Sequence, residues 1–486
     1  MVKSAERDIM GQPRALFGLF WTEMFERFSF YGARAILFYF ISDTILDGGL
    51  DFGTGTAMGI VSIYGACTYL FGLLGGYLAD HVISASDLVL LGGVLISAGN
   101  FVIGLVCNSG GLMMGLLLIV LGTGMLKPNV TMMVGLAYGK NDIRRDAGFS
   151  ILYMSINFGS LVAPLLVGFI SESISYSVAF ITSASAMVVG LLLYVVLKKV
   201  LAPKVGVEVP GRFIGSKLWR FLGGLIGGIG VFFGGLAWLT FSNIIDINTI
   251  ISVLSLAIFL LSVFYIFWII RSPKITRVER KNMFAFIPFF VIATFFYSID
   301  EQLSSVMAEW TQDKVDLTIG SFDVPASWIQ SVNPLLVLLF TPVIVIITAW
   351  FDRHGNALTT GRKFQLGVLL GGLSYLSLAL IQLTANQQKY SLLVPILVIL
   401  LLTVGEIFIT PVGLALSTKL GPKLFSAQIV GVWFLADSCG QALNAQVTKF
   451  YDPDNSVGFF LTFALVGLAF ALLLQIFHKK INSLTN

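Results

Sequence analysis

Fourteen mostly apolar stretches, most of them 20 residues or longer and separated by short polar turns, fill most of this 486-residue chain. They lie near 15–42, 54–79, 87–107, 111–138, 147–171, 176–197, 218–242, 247–270, 283–308, 325–351, 364–384, 390–418, 425–448 and 456–477. About 20 apolar residues are what a helix needs to cross the hydrocarbon of a bilayer. Hydrocarbon offers no partner for backbone N–H and C=O groups, so a chain built this way crosses as helices. The fold class is therefore all-α and polytopic. Composition agrees, with 56% hydrophobic and only 12% charged residues, against roughly 25% charged in soluble domains. Nothing in it points to a nucleic-acid partner.

The loop charges give an orientation. With the N-terminus inside, Lys3, Arg7, Arg14, Lys140, Arg144 and Arg145 fall on the inner side. So do the basic residues of 198–220, 271–281, 353–363, 419–423 and 479–480. The opposite loops hold Lys314, Lys389 and Lys449. Basic loops prefer the cytoplasm, so both termini are expected there, in the cytoplasmic membrane. The first 14 residues are polar and the first apolar stretch is long enough to span, so no cleavable leader is expected. Cys67, Cys107 and Cys439 are an odd set in or at the ends of apolar segments, which suggests packing rather than disulfides or metal ligation.

The seventh and eighth segments lack buried charges, and the seventh has a face of Gly223, Gly224, Gly227, Gly228, Gly234 and Gly235. Small residues let helices approach closely, so this pair reads as an inserted hairpin. Without it, six segments precede and six follow: an N-terminal bundle over 1–200, a linker with hairpin over 201–275, and a C-terminal bundle over 276–486. Such internal repeats mark transporters.

Three bases and six acids are embedded in the apolar segments: Arg27, Arg34 and Lys127, and Glu23, Glu26, Asp300, Glu301, Glu406 and Asp437. A charge in the bilayer costs at least ~2.5–3.5 kcal/mol, so each reads first as functional. All but Asp437 fall on the first and fourth segments of the two halves. The acids outnumber the bases. If all were ionised, unpaired carboxylates would sit in a low dielectric, so some are expected to take up and release protons. His81, His354 and His478 lie at segment ends, which leaves proton handling to carboxylates.

At about 100° per residue, Glu23, Glu26, Arg27 and Arg34 share one stripe of the first segment, with Glu23 and Arg27 an i, i+4 pair. Lys127, alone on the fourth, requires a carboxylate or a bound anion; Glu406 and Asp300–Glu301 are the candidates. Gly124-Met-Leu-Lys127-Pro128 and Gly405-Glu406 leading to Thr410-Pro411 share a local plan, with prolines that bend both helices. Asn157 and Asn333 offer carbonyl acceptors for an ammonium or serve as interhelical glue. Tyr31, Tyr69 and Trp433 line side-chain pockets or simply pack. Asp437 reads as a further proton site or a partner for Lys127.

Glu23-x-x-Glu26-Arg27-Phe28-x-Phe30-Tyr31-Gly32 closely resembles the ExxERFxYYG motif of the proton-dependent oligopeptide transporter family of the major facilitator superfamily. The resemblance extends through Tyr69, Lys127-Pro128, Phe149…Tyr153…Asn157-x-Gly159, Asp300-Glu301-Gln302, Asn333-Pro334, Glu406 and Trp433, and includes the extra hairpin of bacterial members. It implies twelve core helices plus two, and proton-coupled import of di- and tripeptides by alternating access, with protons as coupling ion and no cofactor or metal. Carried over, Arg27, Arg34 and Lys127 meet the peptide carboxylate, and Glu406, Asn157 and Asn333 its amino terminus. Glu23 and Glu26 couple protons, and Arg34 closes an outer gate with Asp300 or Glu301. A dipeptide is a zwitterion, which cations on one side and a carboxylate on the other would match.

The chain departs from the family at Phe30, where a tyrosine is usual, and at Phe158, where a smaller residue is usual. After Gly76–Asp80, His81 and Val-Ile-Ser-Ala-Ser replace the usual arginines and glycine. A rival reading is a transporter of the same fold for another anionic or zwitterionic solute, such as nitrate or a carboxylated drug. A membrane-embedded enzyme lacks any HExxH, GxSxG or phosphate-binding loop, and a sensor lacks a long soluble domain. A monomer is expected.

Overall fold

The computed structural model describes residues 8–138, 142, 144–201, 205–209, 211–242, 244–354, 358–384 and 389–477. Lys3, Arg7, Lys140, Lys204, Lys479 and Lys480, all assigned above to the inner side, lie outside this set, as does His478.

The described residues form fifteen α-helices. The first six are α1 (Arg14–Ser42), α2 (Thr54–His81), α3 (Ala85–Val106), α4 (Ser109–Ala137), α5 (Arg145–Ser173) and α6 (Tyr176–Leu201). The hairpin is α7 (Ser216–Phe241) and α8 (Ile247–Arg271). Then come α9 (Arg277–Asp300), α10 (Val306–Lys314), α11 (Val332–Arg353), α12 (Thr360–Thr384), α13 (Leu393–Leu420), α14 (Ser426–Val447) and α15 (Val457–Ile476). Fourteen correspond to the apolar segments. The short α10 arises because the segment read as 283–308 is not one helix: α9 stops at Asp300, and a 3₁₀ turn over Glu301–Ser304 leads into α10. Between α10 and α11, β1 (Thr318–Ile319) and β2 (Phe322–Asp323) form a two-residue hairpin, whose Gly320 takes φ +66°, as such a tight turn requires.

Twelve of the described helices are long and apolar enough to cross a membrane. Of the fourteen long ones, α1 and α14 fall short, the first because of its charges and the second because of Asp437, Ser438, Gln441 and Asn444.

Helix starts follow local chemistry. Ser84 and Asn108 cap α3 and α4, accepting from the Asp87 and Gly111 amides. Thr276 and Glu279 form a capping box on α9. These bonds satisfy amides that a helix leaves without partners at its first turn.

Contacts divide the chain into two compact units. Unit 1 is Met1–Ile36, Thr44–Leu50 and Leu70–Val253; unit 2 is Leu37–Asp43, Asp51–Tyr69 and Leu254–Asn486. In unit 1, α3 and α4 meet along glycines: a Cβ on Gly92 would collide with the Gly122 carbonyl, and one on Gly99 with that of Gly115, in each case reciprocally. In unit 2, Gly367 and Gly405 join α12 to α13, and Gly372 and Gly467 join α12 to α15. Backbones in contact maximise dispersion where no hydrophobic effect drives helices together.

The hairpin glycines behave differently. A side chain at Gly223, Gly224, Gly227, Gly228, Gly234 or Gly235 would meet open space among the described residues, so this face is not the helix contact its spacing suggests. Instead, Leu218, Phe221, Leu222 and Leu225 of α7 pack on a buried cluster of unit 1. In unit 2, Ser255 and Ser262 of α8 accept hydrogen bonds from Gln446 and Cys439 of α14.

Gly122→Leu should therefore destabilise by about 1–3 kcal/mol or more through overpacking, while Gly227→Leu should be close to neutral. Thermal unfolding of both purified variants in one detergent checks the contrast.

Candidate functional site

In unit 1 the charged stripe of α1 is buried: Glu23, Glu26, Arg27 and Arg34 are 1%, 0%, 2% and 5% exposed. The Arg27 guanidinium donates through Nε and Nη2 to the two carboxylate oxygens of Glu26, the Nη2 bond being 2.6 Å. Glu23 Oε1 lies 3.5 Å from Arg27 Nε, one turn back along the same helix. Arg27 is thus clamped by two carboxylates, with the Phe30 and Tyr31 rings 5.1 and 5.9 Å from its Cζ. Such a fork is the strongest side-chain pairing available to a buried cation. Glu23 Oε2 is buried without a hydrogen-bond partner among the described residues. Phe30, which departs from the family pattern, is 2% exposed and supplies ring rather than hydroxyl.

The other unit 1 candidates lie on α4 and α5. Lys127 of α4, half-buried, is near enough for its charge to act on Glu23. Pro128 deprives the Gly124 carbonyl of its intrahelical donor, and that carbonyl lies against Gly75 of α2, where a Cβ would overlap it. Asn129 holds the same junction through Gly75 O at 3.3 Å. Asn157 of α5 is 6% exposed and donates to Tyr153 O at 2.9 Å. Beside it, Gly159 rests on the Met24 carbonyl and the Arg27 Cβ, so α5 packs directly behind the charged stripe.

In unit 2, Asn333 Nδ2 of α11 donates to Glu406 Oε2 at 3.1 Å and to Thr403 Oγ1 at 3.0 Å, both on α13. The structure thus brings Asn333 and Glu406 together, and Glu301 is close enough for its charge to act on Glu406. Tyr297 OH lies 3.1 Å from Thr410 Oγ1. Thr403 and Thr410 stand three before and four after Glu406, on its face; that spacing was the sequence signal for both. Asp300 and Glu301 sit at the break between α9 and the 3₁₀ turn, followed by buried Gln302, whose Oε1 accepts from Tyr375 OH at 2.9 Å. Tyr69 of α2 is partly exposed. Trp433 is 1% exposed, among the rings of Phe286, Tyr297 and Phe364, with its indole against Gly413.

Asp437 begins a polar stripe on α14. Its Oδ1 accepts from Gln441 Nε2 at 2.8 Å. The Gln441 amide occupies the space where Gly65 of α2 has no side chain. Ser438 donates to Ala66 O at 2.7 Å, and Asn444 donates to Ser62 at 2.9 Å and Ser305 at 3.1 Å. Gln441 thus joins Asp437 to the polar face of α14.

Most of this chain matches the model of the POT family, over residues 82–464. The chain belongs to the POT family. It is 38% identical over 496 residues to the Di-/tripeptide transporter of Lactococcus lactis subsp. cremoris, covering 99% of this chain and 98% of that protein. It is 36% identical over 470 residues to the uncharacterized transporter YclF of Bacillus subtilis, covering 96% and 94%. A crystal structure of a peptide transporter POT in complex with sulfate superposes with a TM-score of 0.94 at 35% identity, covering 99% of this chain and 97% of that one. These POT relatives are transporters rather than enzymes, and the fold is that of the major facilitator superfamily. The protein is a multi-pass membrane protein.

Beyond the apolar span of α9, Glu309 of α10 was not singled out from sequence. Tyr451 OH donates to its Oε2 at 2.6 Å. Desolvation pushes this carboxyl from its usual 4.5 up to about 7, with Asp313 and Asp454 adding to the rise and Tyr451 and Lys314 opposing it. The folded chain then holds a proton over a window in which the unfolded chain has released it. Stability from this group is full below pH 4.5 and lost as pH rises through 7. Glu309→Gln keeps an acceptor for Tyr451 and removes the titration. The melting temperature of the wild type should fall between about pH 5 and about pH 7.5 more than that of the variant; parallel curves would refute the role assigned to burial.

Proposed function

We propose that this protein is a proton-coupled symporter that imports di- and tripeptides by alternating access, with protons as coupling ion and no cofactor. The carrying observation is the buried clamp of Glu26 and Glu23 on Arg27. Adding a proton to these carboxylates weakens the clamp and frees the guanidinium for a peptide carboxylate. Proton uptake and substrate binding then favour each other, which is what symport requires. Arg34 and Lys127 assist at the carboxylate. Glu406, steadied by Asn333, receives the peptide ammonium together with Asn157, while Tyr31, Tyr69 and Trp433 border the side chains.

Recognition by the two backbone termini tolerates many side chains. It also favours a zwitterion over a bare anion such as nitrate, for which Glu406 would be repulsive. Arg34 with Asp300 or Glu301 closes the outer gate, and the helix break at these acids supplies a place where that end can bend. The excess of basic residues on one set of loops favours cytoplasmic termini in the cytoplasmic membrane. Both halves of the binding machinery are carried by one chain, consistent with action as a monomer.

Uptake of labelled dialanine into liposomes under an imposed inward proton gradient tests the reading. Accumulation that collapses with a protonophore supports it; no uptake by correctly folded protein would move the search to other solutes. Glu23→Gln and Glu26→Gln should each abolish accumulation yet retain peptide exchange, and concentrative uptake preserved in both variants would sink their coupling role. Lys127→Gln, which removes a charge-assisted contact, should weaken dialanine affinity about ten- to hundredfold in a competition assay.

A further inference from the structure

The turn from α8 into α9 carries a cavity of about 340 Å³ lined by Phe267, Ile270 and Arg271 on one helix and Arg280 and Phe284 on the other. It lies wholly within unit 2 and away from Asn333 and Glu406 in sequence and helix. Both arginines are exposed. Arg280 Nε donates to Ile270 O at 3.0 Å, satisfying one of the carbonyls α8 leaves open at its end. Among the described residues neither guanidinium pairs with a carboxylate. The one acid in the turn, Glu279, is spent on the capping box, where it accepts from Thr276 N at 2.8 Å and Thr276 Oγ1 at 2.9 Å. Lys274, Arg277 and Lys281 add further positive charge to the same turn.

The walls are apolar and continue onto the flank of α8. Phe267 and Phe284 are 45% and 51% exposed, and Phe264, one turn before Phe267, is 67% exposed. α8 has the highest mean hydropathy of the candidate spans. In a bilayer this flank meets acyl chains, while arginines at the helix ends sit at headgroup depth. Two forked donors above an aromatic-walled groove suit a phosphodiester carrying a hydrocarbon tail.

The geometry points to a binding site for one anionic glycerophospholipid at the α8–α9 turn, its phosphate held between Arg271 and Arg280 and an acyl chain lying along Phe267 and Phe284. The uncompensated positive charge selects an anionic over a zwitterionic headgroup. The apolar groove distinguishes a lipid from a soluble phosphate. The lipid would tie α8 to α9 across this turn.

Native mass spectrometry of the purified full chain, titrated with phosphatidylglycerol or phosphatidylcholine, tests this. Phosphatidylglycerol should be retained preferentially. Arg271→Gln leaves the Arg280 cap intact and should lower phosphatidylglycerol affinity about fivefold without altering phosphatidylcholine; Arg271→Lys should restore part of it. Arg353→Gln, at an exposed cation on another helix, should change nothing. Equal binding of the two lipids, or equal losses in Arg271→Gln and Arg353→Gln, would overturn the proposal. So would competition by soluble glycerol 3-phosphate at the concentration of the lipid, which would make this a site for free phosphate. A thermal unfolding curve for Arg271→Gln that matches the wild type excludes misfolding as the cause of lost binding.

Discussion

Burying Arg27 is the constraint from which the rest of unit 1 follows. An unpaired guanidinium at 2% exposure would be prohibitive. Glu26 meets it with a two-oxygen fork and Glu23 adds a second carboxylate one turn away. Two acids on one base give the cluster an excess carboxylate. The packing around it serves this group. Gly159 brings α5 against the back of α1, and Gly124 and Gly75 bring α4 against α2, which sets Lys127 within electrostatic reach of Glu23.

In unit 2 amides meet two of the carboxylates: Asn333 donates to Glu406 and Gln441 to Asp437. A carboxylate held by an amide keeps its capacity to attract a cation, because the amide donates without cancelling its charge.

Much of this was legible in the sequence because hydrocarbon is a strict solvent. It demands some 20 apolar residues per crossing and penalises each misplaced charge, so fourteen helices and the charges embedded in them could be read directly. Legibility failed where geometry depends on neighbours. The apolar run 283–308 looked like one helix, yet it breaks at Asp300 and Glu301, where polar Gln302 turns inward to Tyr375. The glycines of α7 share the composition of a helix seam but face open space among the described residues, while Gly92, Gly99, Gly115 and Gly122 form a true one. Spacing along one helix is the same in both cases; only the presence of a partner differs.

The sequence by itself determined the all-α membrane class and singled out Glu23, Glu26, Arg27, Arg34, Lys127 and Glu406 as charges embedded in apolar helices. Each follows from the cost of a charge or an unsatisfied backbone in lipid, a property of the local chain. The tertiary structure alone decided which carboxylate grips Arg27, that Asn333 reaches Glu406 across two helices, that Asp437 is tied to Gln441, and that Trp433 lies deep among aromatic rings. Those outcomes rest on rotamers and on interhelical distances of a few ångströms, which glycine seams and prolines set and which no one-dimensional pattern encodes.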